Sequence, residues 1–284
     1  MTMNDKTFET YRPLMFSIAY RMLGSVMDAE DIVQEAYLRY RSADHVEAPK
    51  AFLTTVVTRL CLDQLKSART QRESYIGPWL PEPLITTSMP TTSEYDSISM
   101  AFLVLLESLS PVERAVFLLR EVFDYDYSEI ARIVGKEETA CRQAFHRAKV
   151  HVAEHRPRFQ ASPAEHEQML QKFIEACTVG ELDGLTSLLS NDVVLMSDGG
   201  GKASAATRPV RTPNHVARFL LGLLRQMPLT FSVEILQING RAAVLVRDDQ
   251  GNPFLIQQFE MDAGKISAFY LIRNPDKLQV FSRS

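Results

Sequence analysis

Apolar residues recur at helical spacing through the first half of the chain and give way to alternation near its end. Tyr11, Leu14, Met15, Ile18, Ala19 and Met22 share one face of a helix predicted over Phe8–Leu23, which Gly24 ends. In the next helix Ala29, Ile32, Val33, Ala36, Tyr37 and Tyr40 step by three and four. Its other face offers Asp28, Glu30, Asp31, Gln34 and Glu35. A third helix after Pro49 turns Phe52, Leu53, Val56, Val57, Leu60 and Leu65 inward and gathers Arg59, Lys66 and Arg69 outside. From Thr70 to Met100 the period is lost. Pro78, Pro81, Pro83 and Pro90 lie among serines and threonines, so neither helix nor sheet is expected. Trp79, the only tryptophan, and Leu80 would be costly to expose in such a linker, which predicts a docking contact.

Helical periodicity returns at Ser110. Ser110, Pro111 and Glu113 have the order of an N-cap, a first-turn proline and an acid at the positive helix end. Asp126 and Glu129 repeat the capping pattern, and Gly135 suits a left-handed C-terminal stop. A further helix runs through Cys141, Ala144, Phe145 and Ala148, leaving Arg142, Gln143, His146, Arg147 and Lys149 off its apolar stripe. Two short helices around a glycine turn, the second basic, form the helix-turn-helix pattern. Arginine forks onto guanine, glutamine pairs with adenine, and Arg147 and Lys149, with Arg156 and Arg158 beyond, suit phosphates.

After the polar hinge QASPAEHEQ come two helices, a strand VVLMSD, a glycine-rich stretch at 198–202, and a helix beginning near Pro213. Alternating strands then follow, joined at Asn239-Gly240, at DDQGN and at Ala263-Gly264. Helices followed by an antiparallel meander predict an α+β domain.

Composition narrows the function classes. The chain has 284 residues, 45% hydrophobic, with a net charge of −4. Any nucleic-acid contact is therefore local, on an otherwise acidic surface. Cys61, Cys141 and Cys177 lie far apart and form no metal or disulfide pattern. The polar N-terminus is not a signal peptide, and no apolar run reaches the roughly 18 residues of a membrane span, so a cytoplasmic protein with no membrane contact is expected. His151 and His155 have metal-pair spacing but no third ligand, so no metal and no cofactor are expected.

FSIAYRMLGSVMDAEDIVQEAYLRYR followed by FLTTVVTRLCLDQLKSAR resembles region 2 of the extracytoplasmic-function (ECF) sigma factors, and the helix-turn-helix resembles their region 4. GPWLPEP, DGGGK at 198–202 and NPDKL at 274–278 resemble the SigJ-like subgroup, whose C-terminal extension is SnoaL-like, a curved sheet wrapped by helices. The resemblance implies a multidomain chain. Region 2, an all-α bundle, would occupy 1–69 and the linker 70–100. The all-α region 4 would take 101–159 and an α+β SnoaL-like cone 163–284.

The family's roles carry over as expectations. Asp28, Asp31, Ile32, Gln34 and Glu35 would dock on the clamp helices of the RNA polymerase β′ subunit, with region 4 near the β flap. Arg59, Lys66 and Arg69 would open and bind the −10 element of promoter DNA, and region 4 would read the −35 element. Arg59 stands where many of that group carry asparagine. Trp79 and Leu80, Asp198, Gly199, Gly200, Gly201 and Lys202, and Asn274, Asp276 and Lys277 would make regulatory contacts with the sigma core. They would act in place of a separate anti-sigma protein. The alternative is a helix-turn-helix regulator whose cone senses a ligand or acts as an enzyme, with Asp198 or His215 as general base. No catalysis is the expectation, since no acid and base pair at useful spacing.

Overall fold

A computed structural model describes residues 3–86, 98–155 and 161–282. The chain divides into two compact units, Met1–Glu73 with Phe102–Arg156, and Ser74–Ala101 with Pro157–Ser284.

The first unit is helical. It contains α1 (Met3–Leu23), α2 (Val26–Ser42) and α3 (Pro49–Glu73). After α4 (Met100–Leu106), which begins in the other unit, come α5 (Pro111–Phe117), a π-helical turn at Leu118–Val122, α6 (Tyr127–Val134) and α7 (Glu138–His155). The starts of α5 and α6 are built as their sequences predict. Ser110 with Glu113 and Asp126 with Glu129 both close capping boxes, and Gly135 ends α6 at φ 66°. α3 packs against α5 and α6, so the two sets of helices share a core. At that seam the Thr54 and Tyr125 hydroxyls, both buried, lie 2.9 Å apart. Arg114 is also buried. It donates to the carbonyls of Met22 (2.6 Å) and Leu106 (2.9 Å) and lies 2.7 Å from the Glu107 carboxylate. Burial pulls its pKa down to about 9, and these acceptors are what compensate the buried charge.

The second unit contains α8 (Pro163–Val179), α9 (Leu182–Leu188), β1 (Leu189–Asp198), β2 (Val210–Arg211), α10 (Pro213–Leu224), β3 (Ser232–Ile238), β4 (Arg241–Arg247), β5 (Pro253–Asp262), β6 (Lys265–Ile272) and α11 (Pro275–Leu278). Its six-stranded sheet has the order β2-β1-β6-β5-β4-β3, with only β1 and β6 parallel. The expected α+β class is what folds. Alternate residues of the strands, Leu195, Phe259, Phe269 and Val244 among them, form one core with Leu170, Phe173, Val216 and Leu220 of the helices. The Asn239-Gly240 and Ala263-Gly264 turns both have positive φ at both residues, the geometry of a two-residue hairpin.

The linker differs from expectation at both ends. α3 continues to Glu73, because TQRE holds no proline and the first one comes only at Pro78. Ile85 forms an antiparallel bridge with Ile238, and the Thr86 N–H donates to Gln237 O at 2.9 Å. β3 is the sheet's edge strand, so its unpaired backbone groups are open to such an addition.

Candidate nucleic-acid interface and linker site

On α7, Arg142, Gln143 and His146 are exposed and the apolar Cys141, Ala144 and Ala148 are buried, as the periodicity predicts. The Arg142 Nη2 donates to Glu138 at 2.5 Å and its guanidinium lies 4.3 Å from the Tyr127 ring centroid. Arg147 Nε is 2.7 Å from Glu113 and Lys149 Nζ is 3.4 Å from Glu121. Burial raises the Glu113 pKa, but the Ser110 hydrogen bonds and the Arg147 charge outweigh it and leave the carboxyl below its ordinary value. Exposed pairs like these contribute roughly 0.2–1 kcal/mol each, little enough for a phosphate to replace the carboxylate. His151 meets Ser108 at 2.6 Å.

The −10 candidates are not presented together. Arg59 reaches across to α6, its Nε donating to Ile133 O at 2.9 Å and Nη2 to Arg132 O at 2.8 Å. These are last-turn carbonyls of α6, the negative end of its dipole, where a guanidinium is favoured. Lys66 stands in solvent beside Asp63 at 2.8 Å, and the Arg69 side chain lies outside the described residues. Arg156 and Arg158 do so as well.

On α2, Asp31 and Gln34 are exposed, and Asp28 and Glu35 are half-buried. Ile32 departs from its expected docking role. It is 6% exposed and belongs to the core, as the helical stripe containing Ala29, Val33 and Ala36 requires. Glu35 pairs with Arg39 and Glu30 with Arg12.

The residues around DGGGK meet the linker. Asp198 ends β1 and is wholly buried. Its Oδ1 accepts from the Tyr75 hydroxyl at 2.5 Å and the Gly200 N–H at 3.0 Å. Its Oδ2 accepts from the Leu80 N–H at 2.9 Å and Lys277 Nζ at 2.7 Å. Lys277, itself buried, also donates to the Leu80 carbonyl and stands 4.1 Å from the Trp79 ring centroid. Asn274 Nδ2 donates to the Tyr75 oxygen at 3.0 Å, and Lys202 pairs with Asp276 at 2.6 Å in solvent. Burial, then the Asp198 hydrogen bond, pushes the Tyr75 pKa up.

The glycines are required by close approach. A Cβ on Gly200, at φ 60°, would stand 2.4 Å from the Asn274 amide, and one on Gly199 would stand 2.2 Å from Ala203 O. One on Gly201 would meet Ile76 of the linker at 3.0 Å.

Sequence reasoning missed two members of this arrangement. Tyr75 sits in the linker two residues ahead of GPWLPEP and outside it. Asn239 reads as a turn residue, yet its side chain is buried, accepts from Leu84 N–H at 3.0 Å and donates to Ile98 O at 2.9 Å. Its φ of 50° carried a turn signal, but nothing in the sequence announced its linker contacts. Four donors already fill the Asp198 carboxylate, so it is not poised as a base, and exposed His215 touches Thr212 at 3.1 Å. No described helix is long and apolar enough to cross a membrane.

Comparison with known proteins follows the same division. The family model for sigma-70 region 2 matches residues 7–71, and that for sigma-70 region 4 matches 99–152. The chain is 37% identical over 290 residues to the ECF RNA polymerase sigma factor SigJ of Mycobacterium tuberculosis, covering 97% of this chain and 93% of that protein. It is 36% identical over 193 residues to the probable ECF RNA polymerase sigma factor SigI of the same species, covering 66% and 67%. The crystal structure of M. tuberculosis SigJ aligns with a TM-score of 0.77 at 35% identity, over 96% of this chain and 97% of that one.

Proposed function

The chain belongs to the ECF RNA polymerase sigma factors, and we propose that its C-terminal domain regulates promoter-specific initiation by holding the linker between regions 2 and 4. The observation that carries this is the single buried carboxylate of Asp198, which takes hydrogen bonds from both Tyr75 and Leu80 of the linker. Free, about 30 linker residues extend to roughly 100 Å. Promoter elements some 18 base pairs apart are about 60 Å apart at 3.4 Å per pair. Held at Tyr75, Leu80, Leu84 and Ile98, the linker loses part of that reach. Releasing them lets region 4 move to −35 while region 2 stays at −10.

In this reading the sigma core binds polymerase through Asp28, Asp31, Gln34 and Glu35 of α2. Arg142, Gln143 and His146 read the −35 element, with Arg147 and Lys149 on phosphates. Arg59, Lys66 and Arg69 serve the −10 element. For Arg59 this requires leaving the α6 carbonyls, so its present contacts belong to the form that does not engage DNA. The C-terminal domain acts as a built-in regulator, no separate anti-sigma protein is required, and the protein works in the cytoplasm without catalysing a reaction.

The test is run-off transcription with core polymerase at matched protein levels. Full-length protein is compared with a deletion from Asn274, a deletion from Ser162 and Asp198→Ala. Loss of the tail or of the carboxylate raises transcription if the domain restrains the linker. Equal activity of all four proteins overturns the regulatory reading.

A further inference from the structure

Between Asp198 and Glu234 the sequence holds no acidic residue, in a chain of net charge −4. The same stretch carries Arg208, Arg211, Arg218 and Arg225, all exposed. None of the four has an ion-pair or hydrogen-bond partner among the described residues. Elsewhere an arginine typically faces a carboxylate, as Arg39, Arg120, Arg142, Arg147 and Arg247 do. The fold arranges the free ones. Val210 packs on the core that α10 covers, so its neighbour Arg211 points off the other side of β2; β2 is an edge strand beside α10, so Arg211 flanks the helix at the edge of the sheet. Arg218 is on α10 and Arg225 is its C-cap residue, still in right-handed helical geometry, so the two are seven residues apart, two turns or about 10.5 Å along one face. Between them Gly222 leaves open space, with no atom within 4 Å of where a Cβ would stand.

We propose that this β2–α10 edge of the domain binds the phosphate backbone of double-stranded promoter DNA, independently of sequence and in addition to the −10 and −35 contacts. The chemistry of the face selects that partner. An acidic protein surface would be met by charges around an apolar or aromatic anchor. No large apolar side chain is highly exposed from Val210 to Leu224; the next ones along the chain are Leu229, Phe231, Val233 and Ile235. Guanidiniums spread along a helix without an anchor suit a line of phosphates, each contact releasing condensed counterions. The inference rests on the sigma-factor reading, which is what brings promoter DNA to the protein.

The experiment uses the full chain with core polymerase on a promoter fragment. It compares wild type with Arg211→Ala/Arg218→Ala/Arg225→Ala and, separately, with Gly222→Glu, which sets a carboxylate between two of the arginines where there is room. Affinity is measured against salt, and protected phosphates are mapped by footprinting. Removing three contacts should flatten the slope of log K against log salt by about 3, at about 0.9 per phosphate. Gly222→Glu should weaken binding in the same direction. Both variants should lose protected phosphates outside the −10 and −35 elements while keeping the same start site. Unchanged slope and footprint in both variants overturn the proposal. So does a loss of affinity for core polymerase without DNA, which assigns the face to a protein. A wild-type chain that yields no promoter-directed transcript overturns the sigma-factor reading, and this inference with it.

Discussion

In the helical unit Arg142 and Lys149 meet Glu138 and Glu121 in solvent and exposed Arg147 meets half-buried Glu113, whereas in the sheet unit Lys277 meets Asp198 out of solvent altogether. The Asp198 and Lys277 side chains are 0% and 6% exposed, against 61% for Arg147. The contrast is one of exchangeability. An exposed pair is weak and screened, so its cation can pass to another anion at little cost. A buried pair is held by the penalty for leaving either charge alone, whatever its net worth against an apolar pair. The first arrangement suits a surface that trades partners, and the second suits a catch with two definite states.

The largest expected effect is on the catch. Asp198→Ala leaves the Lys277 ammonium without its carboxylate and three donors without an acceptor, so the second unit should lose about 3–5 kcal/mol. Thermal unfolding measures this, and limited proteolysis should cut near Tyr75–Leu80 sooner. Combining Asp198→Ala with Lys277→Met should cost less than the two single changes summed, since no charge is then stranded. Strict additivity would mean that the pair is not the unit holding the linker.

On the reading helix, Arg142→Ala should cost about 1–3 kcal/mol at one base of the −35 element and relax the preference there. Selection from a randomised promoter library reads this out. Thermal stability should change little, because the Glu138 pair it removes is exposed. An unaltered promoter preference would move the reading face off Arg142.

How much of this was visible in sequence also divides along the two units. Caps, stripes and the basic helix of the first unit are local, set by residues three and four apart, and Ser110, Asp126 and Gly135 do what their neighbours predict. The strands were legible from alternation and the Asn-Gly and Ala-Gly turns. The linker site was not. Asp198 lies 123 residues from Tyr75 and 79 from Lys277, and no period links them. DGGGK and NPDKL pointed to regulatory surfaces, but read as loops they pointed outward. Burial of Asp198 and Lys277 turns that contact toward Trp79 and Leu80. Ile32 was both on the apolar stripe and among docking residues, and packing assigns it to the core.

Arg59 tests the seam between the two sets of helices. Its guanidinium satisfies two α6 carbonyls at a partly exposed site, so Arg59→Ala should cost only about 1 kcal/mol. Its functional effect has two opposed parts. The closed helical unit loosens, and the −10 contact is lost. Distances between labels on α2 and α7 should lengthen or broaden in free protein, while strand opening on promoter DNA weakens. Arg59→Lys should restore part of the opening but not the fork onto two carbonyls, because a single ammonium lacks the planar pair of donors.

The smallest effect expected is at Lys149 and Glu121. The pair is 3.4 Å long, with side chains 58% and 45% exposed, so removing it with Glu121→Gln should leave unfolding within about 0.5 kcal/mol. DNA binding should nevertheless strengthen, by a similar modest factor for every sequence. Lys149 then has no intramolecular anion to leave, and one negative charge that repels phosphate is gone. The gain should shrink as salt rises, since screening weakens both the pair and the repulsion. Lys149→Ala should instead weaken all sequences alike and flatten the salt slope by about 1. If Glu121→Gln lowers affinity, the carboxylate is positioning the lysine rather than competing for it, and the exposed pairs of α7 are then part of a fixed reading surface.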